Sequence, residues 1–324
     1  MPEAAGSMII GTGHYVPENI VTNQELAQVV DTNDDWIVKH TGIRQRRISL
    51  AGENTSDLAT QAALIALKNA GLAADQIDLI IVSTITPDYL TPATAAIVQK
   101  NIQAINAFAY DISTACAGFI FALATADKFI KSGQYENALI ISSEVNSKMM
   151  DFKDRTSTVF FGDGAGAVVL TNGQRNLLSE NLHTRGDQEV IHSGHVEPLK
   201  KISQDNYPKL DAFYQDGKSV FDFATNTIPE HIADFLKSKN LSADRIDYFI
   251  LHQANLRIIE TIADKLNQNI NKFPINVDVY GNTSSAGIAI AFDQLFSEND
   301  LTGKKIVLTG FGAGLSYGSI LLEF

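Results

Sequence analysis

Cysteine is almost absent: Cys116 is the only one in 324 residues. That excludes an internal disulfide and suits a reducing compartment. Tryptophan also occurs once, at Trp36. Long apolar runs are missing; the stretches 138–141 and 248–251 have the length of strands and fall far short of a membrane span. Positive charge is scarce, with 25 Lys and Arg against 37 Asp and Glu and a formal net charge of −12. Bulk nucleic-acid binding needs a basic surface that displaces counterions, so this balance argues against it. Local basic clusters, at Lys39 with Arg44, Arg46 and Arg47 and at Arg257 with Lys265, read first as solvated faces. Residues 1–7 lack the basic and apolar regions of a signal peptide, and the expectation is a soluble cytoplasmic protein.

What is present is a large apolar fraction, 45%, and an internal repeat. Leu72-Ala-Ala-Asp-Gln-Ile-Asp78 recurs as Leu241-Ser-Ala-Asp-Arg-Ile-Asp247, 169 residues on. At the same offset Thr114-Ala-Cys-Ala-Gly118 lines up with Thr283-Ser-Ser-Ala-Gly287. Each half reads as helix, strand, loop, helix, strand, and each ends in a Phe-Gly turn, at Phe161 and at Phe311. Ser56 is the expected N-cap of a first helix and Gly71 its stop. The runs 79–82, 138–141, 167–170, 248–251 and 306–308 are continuously apolar, the pattern of strands covered on both faces by helices. The expectation is an α/β protein of two halves, 8–172 and 173–324, with the boundary near 171–175 and surface loop over 183–215.

Cys116 falls between a predicted strand and the first turn of a helix. A thiol there faces the helix's partial positive end, which favours thiolate, and Ala115, Ala117 and Gly118 leave room for a substrate. His252 follows an apolar strand, where α/β folds keep their ligands. Asn282 stands in the loop that matches the Cys116 loop, and meeting of the duplicated loops would bring the two together. Each residue also has a plain structural reading: an inert buried cysteine, a core histidine, a turn asparagine after Gly281. Position at a helix start tips Cys116 toward function.

The segments Asp31-Thr-Asn-Asp-Asp-Trp-Ile37, Thr41-Gly-Ile-Arg44, Ala115-Cys-Ala-Gly-Phe119, Phe161-Gly-Asp-Gly-Ala-Gly166, His252-Gln-Ala-Asn-Leu-Arg257 and Gly281-Asn-Thr-Ser284 resemble the β-ketoacyl-acyl-carrier-protein synthase III family. The likeness runs from about Ile9 to Phe324. It implies the thiolase fold in an α-β-α-β-α layering, a homodimer, and condensation of an acyl-CoA primer with malonyl-acyl-carrier protein. By the resemblance Cys116 carries the acyl group, His252 and Asn282 serve decarboxylation, and the backbone N–H groups of Cys116 and Ala313 hold the oxyanion. It further implies coenzyme A contacts at Thr32, Trp36, Arg155, Gly217 and Asn255. Carrier-protein contacts would fall at Gln253, Ala254, Asn255, Leu256 and Arg257. Neither cofactor nor metal is implied, and coenzyme A enters as part of the substrate.

The chain departs from the family's pattern at several positions. His40 stands where many members have an arginine, Ala313 where the family has a middle glycine, and Asp222 and Asp264 where some carry lysines. Thr91 replaces a bulky phenylalanine that in acetyl-primed members closes the partner's acyl pocket, so longer primers are expected. A degradative thiolase needs a second cysteine and is set aside. A relative in secondary metabolism, passing the acyl group to another acceptor, is the alternative. His183, His192 and His195 lack carboxylate or cysteine partners at ligand spacing.

Overall fold

The computed structural model describes residues 6–173, 176–196, 198, 202 and 209–324. The first half builds a five-stranded sheet from β1 (Gly6–Tyr15), β2 (Leu79–Ser83), β3 (Phe108–Ile112), β4 (Asn137–Glu144) and β5 (Gly164–Gly173), in the order β1-β5-β4-β2-β3. The second builds a four-stranded sheet from β6 (Leu177–Asp187), β7 (Tyr248–Leu251), β8 (Lys305–Gly312) and β9 (Gly314–Glu323), in the order β7-β8-β9-β6. Pairing directions match: β2 with β4 and β7 with β8 are parallel, while β4 with β5 and β8 with β9 are antiparallel. Among the described residues the second sheet has no fifth strand. Where the repeat would place a counterpart of β3, Val277–Tyr280 forms a helical turn.

Three apolar layers hold the sheets. The helices Gly118–Lys131 and Ala286–Glu298 lie between them and share one core with Ile81, Ile140, Ile250 and Leu308. Helix Thr55–Ala70 packs on the outer face of the first sheet, and helices Gly217–Ser238 and Leu256–Lys265 cover the second. The two central helices are apolar nearly all round, as helices buried between two sheets must be. Among the described residues no helix is long and apolar enough to cross a membrane.

Three expectations need correction. The N-cap of the helix Thr55–Ala70 is Asn54, not Ser56: Asn54 and Asp57 form a reciprocal capping box, and Ser56 instead bonds the Asp88 carboxylate through its N–H and hydroxyl. Gly71 does stop the helix, at φ 68°. The stretch 183–215 is not all loop. Residues 183–187 continue β6, and Ile191–His192 pairs with Tyr214–Gln215, while 197, 199–201 and 203–208 lie outside the described residues, as do Gln174 and Arg175 at the expected boundary. Arg46 belongs to no solvated patch. It is 1% exposed and donates to Asn23 Oδ1 and the Val159 carbonyl at 2.7 and 2.9 Å.

Candidate active site

The carboxyl ends of the parallel strands open onto a cavity of about 590 Å3, lined among others by Cys116, His252, Asn282, Phe161, Phe311 and Ala313. Residues from both halves therefore meet in one chamber. Ala115 and Ser284 hold equivalent left-handed backbone conformations, φ 46° and 52°, at the 169-residue offset. The two loops turn alike and deliver Cys116 and Asn282 to the same space.

Ser284 touches Cys116 and is bonded to Asn282. Its hydroxyl lies 3.3 Å from Cys116 Sγ, and its N–H donates to Asn282 Oδ1 at 2.8 Å. The second bond fixes the amide, so the Asn282 NH2 is left as the donor for a ligand. The Asn282 backbone is pinned too, donating to the Phe160 carbonyl and accepting from Gly162 N–H. Ser284 was not singled out in the sequence. The repeat that aligns it with Ala115 was the available signal.

The electrostatics correct one expectation. Cys116 keeps some exposure to the cavity, yet burial pushes its thiol up to about 12, with the Ser284 hydroxyl pulling the other way. The helix end, worth up to ~2 kcal/mol at a partly buried site, does not overcome that desolvation. Burial thus favours the thiol form of Cys116 over the thiolate. His252 is 3% exposed and burial drives it down to about 3; only the Ser284 backbone acts in the opposite sense. Its Nδ1 has no hydrogen-bond partner among the described residues, and no carboxylate shares the ring. The imidazole is therefore neutral at pH 7, the form that can donate a hydrogen bond without being an acid.

Gly312 lets its strand pass close beside Cys116. A Cβ there would stand 2.8 Å from the Cys116 Cβ and 3.0 Å from its N. Ala313 follows and lines the cavity.

Around the mouth, Gly217 and Asn255 line the cavity, each at a helix start. Trp36 is 37% exposed, so it is no core tryptophan. His40 stacks on its ring at 4.4 Å, and the Arg155 guanidinium stands 6.0 Å from it. Arg155 also donates to the Asp31 carbonyl beside Thr32. Arg257 is tied down by the Lys39 and Val38 carbonyls and by Glu260 at 2.8 Å. Gln253 is fully buried, bonded to the Leu251 and Pro274 carbonyls and to Asn276 N–H. It shapes the loop and cannot meet a carrier protein, a correction to that assignment. Leu256 packs under Gly42, and Ala254 faces the cavity.

Thr91 is exposed and lines no part of this chain's own cavity, whose wall takes Tyr89 and Leu90 from the same loop. His183 packs with His231 and Tyr317, His192 with Tyr214, and His195 lies near Asp211. Among the described residues no group of three or more His, Cys, Asp or Glu is placed to hold a metal ion.

Comparison with known proteins agrees with this geometry. Residues 110–186 match the family model 3-oxoacyl-[acyl-carrier-protein] synthase III, and residues 236–324 match its C-terminal model. The β-ketoacyl-[acyl-carrier-protein] synthase III 1 of Lactiplantibacillus plantarum is 56% identical over 96% of this chain and 97% of its own length. The synthase III of Streptococcus mutans is 45% identical over 96% and 97%. The crystal structure of 3-oxoacyl-[acyl-carrier-protein] synthase III from Aquifex aeolicus superposes with a TM-score of 0.89 at 39% identity, covering 98% of this chain and 100% of that one. With a thiolase-fold architecture and likeness along nearly its whole length, the chain belongs to the β-ketoacyl-acyl-carrier-protein synthase III family.

Proposed function

We propose that this chain is an acyltransferring condensing enzyme that starts fatty-acid synthesis: it loads an acyl group from acyl-CoA onto Cys116, then joins it to malonyl-acyl-carrier protein. The observation that carries this reading is one cavity holding the chain's only thiol, a neutral histidine and an asparagine whose NH2 is oriented for donation.

In the first half-reaction Cys116 Sγ attacks the thioester carbonyl, its proton passes to the departing coenzyme A sulfur, and an acyl-Cys116 thioester replaces the acyl-CoA thioester. The N–H groups of Cys116 and Ala313 stabilise the tetrahedral oxyanion. In the second, His252 and Asn282 donate to the malonyl thioester oxygen. The C–CO2 bond breaks, its electron pair forms an enolate on that oxygen, and the α-carbon attacks the acyl-Cys116 carbonyl. The C–S bond to Cys116 breaks, and the products are carbon dioxide, 3-oxoacyl-acyl-carrier protein and a Cys116 thiolate that takes up a proton from water to restore the thiol. A neutral His252 suits this role, since the developing charge then draws on a donor that need not lose its proton. Loss of the malonyl carboxylate supplies the carbanion, so the scheme calls on no cofactor.

Trp36, with its ring shared by His40, would stack the adenine beside Thr32 and Arg155, and Gly217 and Asn255 would hold the pantetheine arm. Carrier-protein docking falls to Ala254, Asn255, Leu256 and Arg257. In this reading the halves 8–172 and 173–324 act as one unit, the first giving the nucleophile and the second the decarboxylation pair. The enzyme works as a cytoplasmic homodimer. In support, β3 ends the five-stranded sheet, with Phe108 38% and Ile105 75% exposed beside it; an open edge of this kind is normally covered. Thr91 would then reach the partner's primer pocket.

The test is intact-protein mass spectrometry after incubation with a panel of acyl-CoAs, followed by malonyl-acyl-carrier protein. A mass gain equal to the acyl group, removed by the malonyl substrate with formation of the 3-oxoacyl product, is expected. Unloading by another acceptor alone would overturn the assignment.

A further inference from the structure

Because the chain is duplicated, the catalytic cavity has a counterpart across the pseudo-twofold. At the 169-residue offset Ser285 stands for Cys116, Ser83 for His252 and Ser113 for Asn282. The strands β4 and β8 match at an offset one shorter. Asp78 N–H bonds the Asn137 carbonyl as Asp247 N–H bonds the Lys305 carbonyl. That register puts Glu144, the last residue of β4, opposite Gly312, the last of β8. Where the working site has a glycine close beside Cys116, its counterpart holds a glutamate.

Glu144 fills that space with its carboxyl group. It has no exposed surface. Ser285 hydroxyl donates to Oε1 at 2.7 Å; Thr86 hydroxyl, Thr84 hydroxyl and Ile85 N–H donate to Oε2 at 2.7, 3.1 and 3.1 Å. Burial pushes the carboxyl upward and these four donors oppose the shift. Its two oxygens serve two destinations, with Ile85 N–H shared between them at 3.1 Å from Oε2 and 3.4 Å from Oε1. Oε1 holds the residue after Ser284, whose hydroxyl faces Cys116 Sγ. Oε2 holds the segment 84–86, of which Thr84 and Ile85 line the cavity and which runs on to Pro87, Tyr89 and Leu90 on the same wall. Lys148 makes a second tie to this wall, donating to the Pro87 carbonyl at 3.1 Å.

We propose that Glu144, occupying the counterpart of the catalytic site, is a positioning residue that fixes the cavity wall formed by 84–90 against Cys116, and that this wall meets the acyl chain and so sets which primer lengths are accepted. The inference rests on the reading of function above. A hydroxyl–carboxylate bond removed on the wall side frees that wall while leaving His252 and Asn282 as they are. An apolar wall that moves by the width of a methylene alters preference by about fourfold.

The experiment compares catalytic efficiency of acylation with acetyl-, butyryl-, hexanoyl- and octanoyl-CoA in native protein, Thr86→Val and Glu144→Gln, alongside release of carbon dioxide from malonyl-acyl-carrier protein. Thr86 lies behind the wall, is not among the cavity-lining residues, and its valine replacement keeps the shape. Thr86→Val should change the octanoyl-to-acetyl ratio by at least about fourfold with decarboxylation within about twofold of native, and Glu144→Gln should change the ratio further. An unchanged ratio in folded Thr86→Val, or a parallel fall of both half-reactions, would overturn the proposal. Acylation of the native protein reports on the functional reading itself, and the ratio reports on Glu144.

Discussion

The loop 113–118 and the loop 282–287 have the same backbone turn and opposite duties. One presents a thiol to a cavity; the other buries Ser285 against a carboxyl, offers the Asn282 amide to the same cavity, and sets the buried Ser284 hydroxyl 3.3 Å from Cys116 Sγ. Left-handed φ values at Ala115 and Ser284 show that the turn survives without glycine at either place. The difference lies in a few side chains: cysteine for serine, glycine for glutamate, histidine for serine. A duplicated fold supplies two equivalent places for chemistry, and space beside the helix start decides which of them can use it.

The comparison breaks most severely at His252 and Asn282, the pair proposed for decarboxylation, where the first half has only Ser83 and Ser113. His252→Ala and Asn282→Ala should each lower condensation by at least ~10²-fold, the scale for removing one oxyanion donor, while acyl-enzyme still forms. Equal loss of both half-reactions in single-turnover assays would make these residues structural.

Next is the space itself. Gly312→Ala imitates the filled counterpart by placing a Cβ 2.8 Å from that of Cys116. Overpacking of this kind costs about 1–3 kcal/mol, and acylation should slow by about tenfold or more. Acylation at the native rate, measured by mass after rapid quenching, would mean that glycine is not what opens the site.

A smaller effect concerns pH. Unfolded, the His252 imidazole takes its proton near 6.5; folded, it does so only at about 3. Stability tied to the neutral form is complete above about pH 6.5 and is lost as the pH falls from there toward 3. His231, pushed down to about 4 by burial and then by His183, acts in the same direction. Melting temperature should therefore drop between pH 7 and 5, and drop less in His252→Gln. Decarboxylation of the malonyl substrate should show no acid limb near 6.5. A limb there would place a charged His252 in the working enzyme.

The smallest expected change is at the surface. Arg257→Glu should raise the KM for malonyl-acyl-carrier protein and leave acyl-CoA use nearly unchanged, with the effect fading as salt rises. Its native charge is already shared with Glu260 at 2.8 Å, so a modest effect is expected. Loss of primer loading to the same degree would remove Arg257 from docking.

Much of this comparison was legible in the sequence because duplication writes itself twice. Asp78 and Asp247 lead into strands that pair alike, and the apolar runs of β2, β4 and β7 are continuous because helices cover both faces. β6 was partly missed since it edges its sheet with a half-exposed, polar face that breaks the apolar pattern. The thiol's ionisation was misread for a related reason: position at a helix start is visible in a sequence, but the desolvation that outweighs it depends on what the other half packs against the sulfur. Gln253 likewise sits within the motif that carries the resemblance, while its buried bonds to Pro274 and Asn276 appear only in three dimensions. Glu144 gave no signal until the one-residue difference in register was set by backbone hydrogen bonds.

Intact-protein mass after exposure to acyl-CoA, in native protein, Cys116→Ala and the double variant Cys116→Ala/Ser285→Cys, tests most directly the claim that only one of the two matching loops is catalytic. The account predicts a single acyl adduct on the native protein and none on either variant, because a thiol at 285 would face Glu144 in a space already filled. An adduct on Cys116→Ala would contradict the assignment of the nucleophile, and one appearing only in the double variant would show that the second loop is still open to substrate.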